Sequence, residues 1–229
     1  MTMAWNPRDH DPEWPFEHQE TAFAFDAATT ALLVIDIQQG QITQDPDGNL
    51  ARDYPQIIRF WNDQIETRVI PNTWRLQDYF RGRGMPVAFT RNGAVTSTAA
   101  ETTQRLRPAS LRGAGHRGTP AYEIDARIAP LADELVVDKL TSGAFSCTWL
   151  DHALRNMGVT GLVLTGVVSD MCVLGTARVA AELGYWTMIC EDACAGLTYR
   201  SHTEAMLMHA RKFGRVAQTQ EIISELEKS

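Results

Sequence analysis

The chain has 229 residues, 44% hydrophobic and 21% charged, a balance ordinary for one globular domain and long enough to bury a sizeable core. Lys and Arg number 21 against 28 Asp and Glu, and the formal net charge of -7 argues against a nucleic-acid or anionic-membrane partner. No apolar run reaches the length of a membrane span, and Met1 to Asp9 lack the apolar centre of a secretory signal, so a cytoplasmic address is expected.

In chain order, residues 1–28 form a polar arm bearing Trp5 and Trp14. These are too apolar for an idle tail, and the arm is expected to dock on a neighbouring subunit of a homo-oligomer. Residues 29–229 then alternate. Apolar runs at Ala31–Ile37, Met85–Thr90, Glu134–Lys139, Gly161–Gly166 and Trp186–Glu191 predict strands. Helical periodicity covers Gln56–Arg83, which Pro71 should bend or divide, and Thr148–Met157, Met171–Leu183 and His202–Phe213. Gly84, Gly158, Gly184 and Gly214 follow the helical patterns, where left-handed caps are expected. Strands alternating with helices predict a single doubly wound, Rossmann-like, three-layer α/β domain with a mainly parallel sheet.

The region Gly93 to Ala126 breaks the alternation. Its Gly113-Ala114-Gly115-His116-Arg117-Gly118 satisfies G-x-G-x-x-G, but no strand precedes it and Thr119-Pro120 follows. A dinucleotide fingerprint also needs glycines after the first strand, where Ile37-Gln38-Gln39-Gly40 stands instead, so no cofactor is expected. A long surface loop at the mouth of a site is the better reading.

The stretch Leu162 to Val173 carries the chemistry: an apolar strand runs into a tight turn, with Cys172 where the next helix begins. A thiol there meets the positive end of the helix dipole and unpaired N–H groups, which favour a thiolate and offer an oxyanion site. Taken alone, such a cysteine more often packs as a small hydrophobe. Taken alone, too, a strand-end aspartate is often a cap and a strand-end lysine a solvated edge residue. But Asp36 closes the first strand and Lys139 the third, and open parallel sheets bind ligands at the carboxyl ends of their strands. Asp36, Lys139 and Cys172 are therefore candidates for base, cation and nucleophile.

Arg91 and Asn92 follow the second strand at the same end. They are candidates to hold a substrate carboxylate or carbonyl, Arg91 being equally suited to a structural ion pair. Phe145, Trp149 and Tyr199 are candidate pocket walls, and Asp170 reads as a turn cap. Cys147 and Cys190 are expected as reduced packing residues, slower to alkylate than Cys172. No C-x-x-C, H-x-x-x-H or H-E-x-x-H pair occurs, so no metal site is expected.

Ala31–Gln38 around Asp36, Asp138–Asp151 around Lys139 and Thr165–Thr176 around Cys172 resemble, in that order, the isochorismatase-like cysteine hydrolases. That superfamily includes nicotinamidases, N-carbamoylsarcosine amidohydrolase and the ureidoacrylate and biuret amidohydrolases. The resemblance implies a Cys-Asp-Lys triad of Cys172, Asp36 and Lys139, with an oxyanion hole from the backbone amides of Val168 and Cys172 beside a cis Val167-Val168 peptide. It also implies a loop near the substrate entrance and a dimer or tetramer.

Nicotinamidases carry a metal cluster, with histidines closely following the catalytic aspartate, but residues 39–56 contain no histidine. Isochorismatases proper, which cleave a vinyl ether, do not keep the cysteine. The expected reaction is therefore hydrolysis of a C–N bond in a small amide or ureido compound through an acyl-thioester. The alternatives are isochorismatase-type ether hydrolysis and a non-catalytic binding or scaffold role, though a scaffold would normally have lost part of the triad.

Overall fold

The computed structural model describes residues 4–16, 19, 21–43, 47–104, 107 and 115–229. Its strands are β1 (Thr30–Ile35), β2 (Val87–Asn92), β3 (Leu135–Lys139), β4 (Gly161–Val167), β5 (Trp186–Ala195) and β6 (Arg215–Ala217). They form one sheet of order β3-β2-β1-β4-β5-β6 in which every pairing is parallel. The direction of strand succession reverses between β1 and β4, and at such a switch point the loops diverge and leave a crevice at the carboxyl ends.

All six residues of β1 are buried, as expected of a central strand covered on both faces. Ala31, Leu33 and Ile35 pack to one side with Leu150, Leu154, Leu164 and Ala177. Leu32 and Val34 pack to the other with Trp61, Leu76, Phe80 and Ile222.

The helices are α1 (Gln39–Ile42), α2 (Asn49–Asp53), α3 (Pro55–Gln64), α4 (Ile70–Gly82), α5 (Leu150–Asn156), α6 (Leu174–Glu182), α7 (Tyr199–Lys212) and α8 (Thr219–Leu226). No helix among the described residues is long and apolar enough to cross a membrane. Pro71 divides the long helical pattern: a π-helical turn, Ile65–Val69, joins α3 to α4 just before it. Proline lacks the N–H that would bond back into the preceding turn, and a widened turn accommodates the loss. The sequence pattern does not reveal β6, whose three residues are too few to make an apolar run, nor α1, α2 and α8.

The arm packs on its own chain. Trp5 and Trp14 are buried in one of the two apolar clusters, and the Trp5 amide donates to Glu221 Oε2. Gln19 Nε2 donates to Val216 O at 2.7 Å and Gln19 Oε1 accepts from Val216 N at 2.6 Å, so one side chain satisfies the open edge of β6.

Gly84, Gly158 and Gly184 adopt left-handed φ, but Gly214 does not. Glycine is needed there for space, since a Cβ would lie 2.2 Å from Thr187 O and 2.5 Å from His209 Nε2. His209 itself is fully buried with an unpartnered Nδ1. Burial pulls its pKa from 6.5 down to about 4. The unfolded chain then binds a proton more readily than the folded one, so stability present above pH 6.5 is lost as pH falls towards 4, by about 3 kcal/mol at the end of that window. Urea unfolding of His209→Leu is expected to show a shallower loss than wild type between pH 6.5 and 5; parallel curves would exclude this source.

Candidate active site

Asp36, immediately after β1, leaves the strand with φ 52°, a left-handed conformation that aspartate tolerates better than most residues. Its Oδ1 accepts from Thr90 Oγ1 at 2.6 Å. Its Oδ2 lies 2.7 Å from Lys139 Nζ, an ion contact whose angle is poor for a hydrogen bond. Lys139, the last residue of β3, donates through Nζ to Thr141 O at 2.9 Å and Ser142 O at 3.0 Å. Both side chains are essentially sealed from solvent, at 0% exposure for Lys139 and 1% for Asp36. Burial opposes the lysine charge, but Asp36 and the neighbouring Cys172 outweigh it and raise the Lys139 pKa.

Cys172 lies in a π-helical turn, Ser169–Val173, that precedes α6 rather than in the first turn of a regular helix. Val168 O anchors this turn by accepting from Met171 N at 3.0 Å and Val173 N at 3.2 Å. The Val167-Val168 peptide is cis. Gly166 lets β4 close on β1 at this end, because a Cβ there would stand 2.0 Å from Ile35 O.

The thiol differs from the sequence expectation. Burial and the Asp36 charge push its pKa from 9.0 up to about 12, against the opposing pull of Lys139. Burial therefore favours the protonated thiol, against the pull of Lys139 and of the helix end. Cys147 also differs, being exposed with φ 60° and so open to reagents rather than packed. Cys190 and Cys194 are buried, and burial raises both their pKa values.

Arg91 is engaged in ion pairs, through Nε with Asp138 Oδ1 at 2.8 Å and Nη1 with Glu123 Oε2 at 2.9 Å. Its guanidinium also stacks 4.9 Å from the Tyr122 ring centre. Arg117 adds a second cation to Asp138; burial resists, yet the two arginines hold that carboxyl below its ordinary range. The Asn92 backbone N–H donates to Gln38 Oε1 at 2.7 Å, while Gln38 Nε2 donates to Tyr122 O at 2.8 Å.

Gln38 thus ties the loop between residues 93 and 126 to the ends of β1 and β2, helped by Gln39 N to Glu123 O and Asp125 N to Ile37 O. Gly113 and Ala114 of the glycine motif lie outside the described residues. Phe145 packs in the same apolar cluster as Cys172. Trp149 and Tyr199 are half or more exposed, and Asp170 is exposed within the π-helical turn rather than at its cap. Among the described residues no three His, Cys, Asp or Glu side chains are grouped to hold a metal ion.

Thr90 and Gln38 have no signal in the sequence. Each acts on a residue about fifty positions away, through a register that only the parallel pairing of β1 with β2 creates.

A family model described as an isochorismatase domain matches residues 30–221. The isochorismatase family protein YddQ of Bacillus subtilis is 32% identical over 170 residues, covering 74% of this chain and 79% of its own. The ureidoacrylate amidohydrolase RutB of Serratia proteamaculans is 28% identical over 186 residues, 75% of this chain and 72% of its own. Among solved structures, a cysteine hydrolase from Pseudomonas syringae pv. phaseolicola superposes with a TM-score of 0.74 over 90% of this chain and 96% of its own, at 23% identity. The family match spans the whole sheet together with the aspartate, lysine and cysteine at its carboxyl end, and the chain accordingly belongs to the isochorismatase family of hydrolases.

Proposed function

We propose that the protein is a cysteine-dependent amidohydrolase that cleaves a C–N bond of a small amide or ureido compound. The observation that carries this reading is the sealed Asp36–Lys139 ion pair, 2.7 Å long, whose two charges both act on the Cys172 thiol. At rest the carboxylate and ammonium neutralise each other and the thiol keeps its proton. When that proton moves to Asp36 Oδ2, the new thiolate and Lys139 become the ion pair, so the buried cluster conserves its net charge through the step.

The thiolate then bonds to the substrate carbonyl carbon, and the resulting oxyanion is received by the backbone amides of Val168 and Cys172. Asp36 returns the proton to the nitrogen, the C–N bond breaks, and ammonia or an amine leaves behind an acyl-thioester. Asp36 next takes a proton from water, the hydroxide adds to the thioester, and collapse frees the acid and restores the thiol. The name of the RutB relative supports the ureido class. The presence of the nucleophile supports amide over vinyl-ether chemistry.

The test is ammonia release from a panel of primary amides and ureides with chelator present. Wild type is expected to release ammonia and Cys172→Ala to release none while unfolding at the same temperature. Release that persists in the mutant would overturn the covalent mechanism. No release from any compound would shift the reading to another leaving group, the vinyl ether included.

A further inference from the structure

A second chain of polar side chains, which the proposed chemistry does not use, runs behind the nucleophile turn. Arg68 Nη2 lies 2.9 and 2.8 Å from the two Glu191 oxygens. Glu191 Oε1 lies 3.1 Å from His202 Nε2, and His202 Nδ1 lies 2.8 Å from Ser169 Oγ. Glu191 comes from β5 and His202 from α7. The two ends of the chain are the two π-helical segments among the described residues: Arg68 belongs to Ile65–Val69, and Ser169 opens Ser169–Val173, which holds Cys172.

The direction of the hydrogen bonds follows from Glu191. Burial opposes its ionisation, but the His202 hydrogen bond and the Arg68 charge hold its pKa at about 2. As a carboxylate it can only accept, so His202 Nε2 donates to it, and in the neutral ring Nδ1 then accepts from the Ser169 hydroxyl. A Ser-His-Glu array has the composition of a hydrolytic triad, but Ser169 is 0% exposed and no substrate can reach it. What burial leaves to it is placement. Isolated π-helical turns are rare and have poorer intrinsic support than α-helix, and this one, with Val168 at its cap and Cys172 within it, carries the amides needed at the oxyanion.

We propose that Arg68, Glu191 and His202 are positioning residues that hold Ser169, and through it the Val168–Cys172 turn, in the geometry that aims its backbone amides at the developing oxyanion. This rests on the amidohydrolase reading above.

The test uses the full chain in a Cys147→Ala background. Three quantities are measured: turnover of the best amide of the panel, inhibition by the corresponding aldehyde, and alkylation of Cys172 by iodoacetamide. The aldehyde adds to the thiol and places an oxyanion in the same hole, whereas alkylation forms no oxyanion.

Losing one oxyanion donor costs about two to three powers of ten in rate, and misaiming one costs part of that. Ser169→Ala and His202→Asn are expected to lower kcat by about 30-fold with KM within about threefold, to weaken the aldehyde by the same factor as kcat/KM, and to leave the alkylation rate near wild type. Arg68→Met, nearer the surface, should give a smaller loss of the same kind that Arg68→Lys largely restores.

Folded variants with wild-type kcat would overturn the proposal, as would alkylation falling in step with kcat. If wild type hydrolyses no amide, the amidohydrolase reading fails by itself. Protection of Cys172 from iodoacetamide by a probe aldehyde, benzaldehyde, then still decides the positioning claim, which is overturned if Ser169→Ala is protected as wild type is.

Discussion

Asp36→Asn is expected to change two properties of the site in opposite directions: amide hydrolysis falls about a thousandfold, while Cys172 becomes easier to alkylate at pH 8. The first follows from the loss of the carboxylate that neighbours the thiol, since a positioned general base contributes about two to four powers of ten. The second follows from the charges. Asp36 raises the thiol pKa both by its charge and by hydrogen bonding, whereas Lys139 lowers it. Without the carboxylate the lysine acts unopposed, and the thiolate fraction at a given pH rises.

Each unit of fall in pKa gives tenfold more thiolate, partly offset because a less basic thiolate is less nucleophilic, so the alkylation rate gains roughly threefold per unit. The measurement is the pH dependence of iodoacetamide labelling at Cys172 with Cys147→Ala in place, beside the turnover number of the same preparation. Activity and alkylation falling together would mean that Asp36 supports a pre-formed thiolate rather than accepting its proton. The site would then work as a resting ion pair.

The upward shift of the thiol pKa was not legible in the sequence, and the reason is general to the chain. The positions of Asp36, Lys139 and Cys172 could be read because each stands where a strand-like run ends, and parallel topology turns three strand ends into one locus. The protonation state of the thiol depends on how deeply the turn is sealed, which residue types and spacing do not encode. The positioning array is hidden for another reason. Its three links join residues 123, 11 and 33 positions apart, drawn from a helix, a strand and two turns, so no local period marks it.

The fold itself was easier, because five of the six strands make apolar runs long enough to see. The exception, β6, is tied to the arm by Gln19, which bonds both the N–H and the carbonyl of Val216, and by its own Arg215, which donates to Phe23 O. The arm is legible only in part for the same cause. Two buried tryptophans demand a partner surface, but the sequence does not say whether that surface is supplied by the same chain.

Lys139→Met is expected to destabilise the protein by about 3–5 kcal/mol, the cost of leaving a buried charge without its counter-ion, and the partner substitution should recover much of that loss. Asp36 is 1% exposed and Lys139 0%, so neither water nor side-chain motion can screen the orphaned carboxylate. Methionine keeps the length and apolar stem of lysine, which confines the effect to the charge and to the two carbonyls, Thr141 O and Ser142 O, that Nζ had bonded.

In Asp36→Asn/Lys139→Met no charge remains to be compensated, Thr90 can still bond the amide oxygen, and the double mutant should be more stable than Lys139→Met by about 2 kcal/mol. Urea unfolding of the four members of the cycle at pH 7.5 measures the coupling. Additive losses would mean that the pair contributes nothing beyond two separate packing interactions. A stable, inactive double mutant would show instead that the ion pair is retained for its role in moving a proton at constant charge, at a cost in stability that the surrounding core supports.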